Sequence, residues 1–243
     1  MYFCNGFNNE CMETKQKGTQ YKVWFTSDTH FSGKSILFHK PERRAAAGIT
    51  LEELQADIDA AMLKHDEWLI DLWNKTIKKK DFVYILGDFC MGNKKRTEYI
   101  LGRLNGRKYL IRGNHDKSCA GLERYFEWVG DIKEAKFNHG QYPFIDKDET
   151  FCLEMCHYPL FAWNRRPHGT CHIHGHTHGY MCDFNDRSVE LRFDIGFDSK
   201  LAEHKILDLE TVYKKMIEIK ESTNSSTFEE HTEKIMISQG FRA

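Results

Sequence analysis

A chain of 243 residues, 40% hydrophobic and 29% charged, is long enough for a sizeable core and has the balance of a soluble globular protein. Its formal net charge of −1 lacks the basic field that bulk nucleic-acid or anionic-membrane binding draws on, although a local basic patch stays open. There is no apolar run of about 18 residues to span a membrane, no signal-peptide pattern at the start, and no CxxC pair among eight cysteines, so the reading is a cytoplasmic protein with reduced, mostly packing cysteines.

Residues 1–20 are polar and read as an extension. "YKVWFTS" (21–27), aromatic and β-branched, predicts a strand that ends at Asp28. Thr50 and Glu53 form a capping box for a helix running to about Lys79, with an apolar face through Leu54, Ile58, Leu69 and Trp73. "DFVYILG" (81–87) is a second strand ending at Asp88, residues 94–104 a helix, and "RKYLIRG" (107–113) a third strand ending in "NHD". Strands alternating with helices imply parallel pairing through crossovers. Beyond them, "TFCLEMCH" (150–157), "TCHIHG" (170–175), "SVELRFDIGF" (188–197) and "HKILDL" (204–209) are strand-like with few helices between, which predicts a second, mixed sheet packed on the first. A last helix is expected over 209–221, and 222–243 is a tail, so the domain is expected to cover 21–221. With glycosylation excluded by the compartment, the sequon Asn224-Ser225-Ser226 carries no meaning.

Polar groups gather where the strands end. Asp28 and His30 follow the first, Asp88 the second, Asn114 and His115 the third, His157 a later one, and His176 and His178 another. In open α/β sheets ligands bind beyond the carboxyl ends of strands, so these loops converge. Singly, Asp28, His30, Asp88 and Asn114 are ordinary turn residues. Together with His157, His176 and His178 they make two carboxylates, one amide oxygen and four imidazoles, an oxygen and nitrogen set suited to Mn, Fe, Ni or Zn. Seven donors exceed one tetrahedral ion and suit two if one carboxylate bridges. Two divalent ions, two carboxylates and a hydroxide leave a positive charge that attracts an anion such as a phosphate ester.

"DTH", "GDF", "GNHD", "HYP" and "GHTH" occur in the order found in the calcineurin-like metallophosphoesterases, and the chain resembles that family over roughly residues 21–200, most of all its small prokaryotic or phage-type members. The resemblance implies an α/β fold in four layers, two mixed sheets flanked by helices. It implies one metal on Asp28, His30, Asp88 and His178, and a second on Asp88, Asn114, His157 and His176. His115 would stay unligated as proton donor to the leaving oxygen, while a bridging hydroxide attacks phosphorus in line. The protein-phosphatase branch follows its "GD" with a further aspartate that supports this histidine; "GDFCMGN" has none, which leaves open what orients His115 and whether the neighbouring Asp116 serves.

The expected activity is phosphodiester hydrolysis of a small molecule or nucleotide, with a phosphomonoesterase or nuclease using the same site as alternatives. A nuclease would need a basic groove that the near-zero charge disfavours. A non-catalytic scaffold would lack ligands or His115, and none is missing. Arg112 stands before "GNHD", and the loop 158–170 separates two donors; its Trp163, Arg165 and Arg166 stack on or clamp a substrate, or else anchor a solvated loop. His172 and His174 alternate with Cys171 and Ile173 and read as packing groups or as groups that orient a ligand. The basic cluster His39, Lys40, Arg43 and Arg44 reads as a solvated face. Cys90 and Cys156 read as small buried hydrophobes.

Overall fold

The computed structural model describes residues 21–181 and 190–224. The expected extension over 1–20, the tail beyond 224 and the start of the expected strand at 188–189 lie outside the described residues. Two mixed sheets with helices form the fold, as the α/β expectation has it. The first sheet holds β1 (Val23–Thr26), β2 (Phe82–Ile85), β3 (Arg107–Ile111), β4 (Trp128–Gly130) and β9 (Leu207–Asp208) in the order β4-β3-β2-β1-β9, parallel except for β9. The second is β5 (Ile132–Asn138), β6 (Thr150–Cys156), β7 (Cys171–His174) and β8 (Arg192–Asp194) in sequential order; β5 runs antiparallel to β6 and the rest are parallel.

Strands β1, β2 and β7 are buried at every residue, so their runs are nearly continuously apolar or tightly packed. Val23, Phe25, Phe82, Tyr84 and Ile111 of the first sheet meet Phe151, Leu153, Met155, Cys171, Ile173 and Phe193 of the second. On the outer face of the first sheet, Val83, Ile85 and Leu110 pack on Leu69, Ile70 and Trp73 of α4 (Ile58–Thr76) and Ile100 and Leu101 of α5 (Lys94–Arg103). Helix α6 (Leu209–Asn224) adds Leu209, Val212, Tyr213 and Met216 to the inter-sheet core. The outer row of the second sheet is polar, with Glu154, His172 and Arg192 side by side. A loop with a 3-10 turn at Arg166–His168 packs on this row through Trp163 and His172.

Several expectations are corrected. The single helix over 50–79 is two, α3 (Leu51–Ala56) and α4, because Asp57 leaves helical geometry at φ −151° and caps α4, accepting from Asp59 N and Ala60 N at 3.0 Å each. The capping box is present on α3 as read. Strands expected over 188–197 and 204–209 shrink to three and two residues in β8 and β9. Short helices α1 (Ile36–His39) and α2 (Pro41–Ala46), and strands β4 and β5, are additions. Among the described residues no helix is long and apolar enough to cross a membrane.

Candidate metal centre

All the predicted donors follow parallel strands and emerge at one edge of both sheets. Backbone bonds continue the β1–β2 pairing past the strands: Asp28 N donates to Gly87 O and His30 N to Asp88 O, both at 3.0 Å. Gly175 N donates to His157 O at 3.0 Å and likewise continues the β6–β7 pairing, and the two sheets are joined at the same edge, where Phe197 N donates to Ser27 O and the His176 N–H to Asp28 Oδ2, each at 3.0 Å. Nine described non-glycine residues have positive φ, and five of them are Asp28, His30, Asp88, His176 and His178. Each such backbone costs about 1 kcal/mol or more, so the concentration marks a site where side-chain direction overrides local preference. The alternate pairs 28/30 and 176/178 share this left-handed, any, left-handed pattern.

Two clusters of donor atoms result. Asp28, His30 and His178 offer atoms within 4.8 Å of one another, and so do Asp88, His157 and His176. His30 Nε2 faces His178 Nε2 at 3.2 Å, and His178 Nε2 lies 3.7 Å from Asp28 Oδ1. In the second cluster His157 Nε2 is 3.2 Å from both Asn114 Oδ1 and His176 Nδ1. Asp88 stands between the clusters, its Oδ2 3.7 Å from His30 Nε2 and 3.7 Å from His157 Nε2.

The chemistry of these atoms fits cations. His157 Nδ1 faces the Leu86 carbonyl at 2.7 Å; a carbonyl only accepts, so the proton is on Nδ1 and Nε2 keeps its lone pair. That lone pair then points at another acceptor, Asn114 Oδ1. Asp28 Oδ1 is buried with no hydrogen-bond partner among the described residues, a costly state for a carboxylate unless a cation meets it. Burial pushes the Asp28 carboxyl up to about 6 and, with His178 and Arg43 nearby, pushes the His30 imidazole down to about 2, which leaves it neutral as a ligand must be. Space is also reserved for the donors. A Cβ at Gly175 would sit 2.3 Å from Asp28 Oδ2, and one at Gly113 2.4 Å from Asp88 Oδ1.

The other candidates are placed differently. His115 is exposed, its ring centroid 5.9 Å from that of His30, with no hydrogen bond to the ring among the described residues. Its backbone N–H donates to Asp88 Oδ1 at 2.9 Å. Asp116 accepts the N–H groups of Asp88, Phe89 and Gly113 at 2.7–2.9 Å. Arg112 is held by Asp131 through two bonds of 2.8 and 2.9 Å on the surface. Trp163 is buried, its indole N–H donates to Thr170 O at 2.7 Å, and its ring packs on His172, which is the loop-anchoring alternative of the two. Arg165 starts the 3-10 turn in left-handed geometry, and Arg166 pairs with Glu190. His172 and His174 are buried; His172 Nε2 accepts from Leu160 N at 3.1 Å and so fixes the loop after His157.

Sequence reasoning missed Asp194 and Asp198 and misread Arg43. Asp194 accepts from Thr177 Oγ1 and from the N–H groups of Gly179 and Gly196, holding the turn that carries His176 and His178. Arg43 is fully buried rather than solvated because Asp198, 155 residues away, is its partner. "FDIGFD" after a strand, carboxylates four apart beside glycine, was the available signal.

Known proteins bear on this geometry. The family described as Calcineurin-like phosphoesterase matches residues 21–180. The chain is 29% identical over 182 residues to the Gene 66 protein of Mycobacterium phage L5, covering 65% of this chain and 78% of that one. With the Gene 66 protein of Mycobacterium phage D29 it shares 28% over 198 residues, 72% of this chain and 89% of the other. Its fold is similar to that of a protein of unknown function from Aquifex aeolicus, with a TM-score of 0.53 and 24% identity over 80% of this chain and 98% of that one.

Proposed function

The chain belongs to the calcineurin-like phosphoesterase family, and from that premise we propose that it is a dinuclear metal-dependent phosphoesterase that favours phosphodiesters. The observation that carries this reading is Asp88 Oδ2, 3.7 Å from a histidine nitrogen of each donor cluster, a place from which one carboxylate would serve two cations. Asp28, His30 and His178 would hold the first with Asp88, and Asn114, His157 and His176 the second. What a bound pair of divalent ions (Mn, Fe, Ni or Zn) supplies is Lewis acidity toward a phosphoryl oxygen and hydroxide for in-line attack at neutral pH.

The residues themselves do the rest. Leu86 O keeps the His157 proton on Nδ1, so that Nε2 faces the site. The backbone N–H of His115 holds Asp88 Oδ1, which leaves Oδ2 facing both donor clusters. The exposed His115 ring is the proposed proton donor to the departing oxygen. Charge supports the diester. Two divalent ions and the carboxylates of Asp28 and Asp88 sum to plus two, and a hydroxide nucleophile takes this to plus one, the match for the single negative charge of a diester. The described cysteines Cys90, Cys119, Cys152, Cys156 and Cys171 are free thiols, which supports a reducing, cytoplasmic setting.

The test is hydrolysis by metal-free protein reloaded with each of the four ions, comparing bis(p-nitrophenyl) phosphate with p-nitrophenyl phosphate. The diester should show the higher kcat/KM. Asp88→Asn should abolish turnover and weaken both cations, whereas His115→Ala should keep its metal and lose about 10²–10⁴-fold in kcat. A higher kcat/KM on the monoester reverses the preference, and no hydrolysis of either ester with any ion ends the proposal.

A further inference from the structure

One buried carboxylate, Asp198, ties three distant segments together behind the first donor cluster. Its Oδ2 faces His178 Nδ1 at 2.8 Å, and its Oδ1 lies 3.5 Å from His204 Nε2. Arg43 on α2 donates to both oxygens, Nε to Oδ1 at 2.8 Å and Nη2 to Oδ2 at 2.9 Å. The same guanidinium holds the backbone of the first motif, with Nη2 to Asp28 O at 2.8 Å and Nη1 to Thr29 O at 3.1 Å. The Arg43 side chain is fully buried and that of Asp198 is 2% exposed.

A buried ion pair is weak as a stabiliser, because desolvation offsets much of the attraction. Its effect is therefore sought in what it holds. An ionised carboxylate can only accept, so His178 carries its proton on Nδ1 and turns the Nε2 lone pair toward Asp28 Oδ1, 3.7 Å away. His157 in the second cluster has only a neutral carbonyl, Leu86 O, behind its ring. A carboxylate behind a histidine makes it the more basic ligand. Arg43 meanwhile fixes where Asp28 stands and neutralises Asp198, so this backing adds orientation without leaving an unpaired buried charge.

We propose that Asp198, held by Arg43, is a positioning residue for the first cation, acting through His178. The inference rests on the cation-binding half of the function proposed above and not on any ester. It is tested on the full chain, stripped of metal, by absorbance titration with Co2+ alone. Asp198→Asn, which keeps the shape and removes the charge, should weaken one Co2+ by about 10–100-fold and leave the other within about twofold. Equal loss at both, or loss at neither, overturns the proposal. A second measurement needs no variant to fold: ¹⁵N NMR of the histidine rings in the metal-free wild-type protein should show His178 with its proton on Nδ1. A proton on Nε2 overturns the proposal. Neither readout involves hydrolysis, so a protein that binds Co2+ as described but cleaves no ester sinks the esterase reading and leaves this one standing.

Discussion

Glycine 175 shows what one missing methyl decides. The strand that ends at His174 must pass close to the loop after β1, and an alanine Cβ at this position would meet Ser27 Oγ at 2.0 Å as well as Asp28 Oδ2. Gly175→Ala should therefore displace the Asp28 carboxylate. We expect loss of one equivalent of metal by elemental analysis and a fall in kcat of about 10²-fold, the usual cost of moving a reacting group by about 1 Å. Full metal content with normal turnover would show that the loop relaxes instead. At this scale the donor set was legible, because the donors cluster just past strand-like segments, most plainly the apolar runs that precede Asp28, Asp88 and His157. Arg43 was not, because a basic residue among basic neighbours reads as solvated until its carboxylate partner arrives from the far end of the chain. Asp116, beside His115 in the sequence, binds backbone N–H groups with its carboxylate.

Helices α3 and α4 show how a single side chain punctuates an element. Leu54 and Ala61 both pack in the small cluster with Leu37 and Ile49, so the apolar face alone reads as continuous across the break. Asp57 ends one helix and caps the next with two bonds to backbone N–H groups. Asp57→Ala should cost about 1 kcal/mol in urea unfolding, the ordinary loss for an N-cap; a change near zero would mean that packing alone sets the start of α4. The same contrast explains which strands could be read. β1, β2 and β3 are short apolar runs covered on nearly all sides. β5, "IKEAKFN", is an edge strand with a mostly accessible, charged pattern and looks like a loop or helix in sequence. Helices α1 and α2 are too short for periodicity to register.

The proposed donors come from both sheets, so cation binding there would be coupled to folding at the level of the whole molecule. Asp28, His30, Asp88 and Asn114 ride on the first sheet, and His157, His176 and His178 on the second. A cation held across that seam stabilises only the assembled sandwich. Thermal unfolding with Mn2+ at about 100 times its dissociation constant should reveal about 2.7 kcal/mol of added stability for each ion held, reversed by EDTA. Asp88→Asn should lose most of that gain. An unchanged transition in the wild-type protein would mean that the ion does not bind, or binds the folded and unfolded chains alike.

Two neighbouring aspartates clasp each other's loops. Asp116 gathers N–H groups from the segments bearing Asp88 and Asn114, while Asp88 takes the His115 N–H in return. This reciprocal handshake ties the Asp88 carboxylate to the backbone of His115, the residue proposed as general acid. If Asp88 and His115 act as proposed, the spacing of the two sides of the reaction would rest on three amide contacts between their loops, Asp88 N and Phe89 N to Asp116 and His115 N to Asp88.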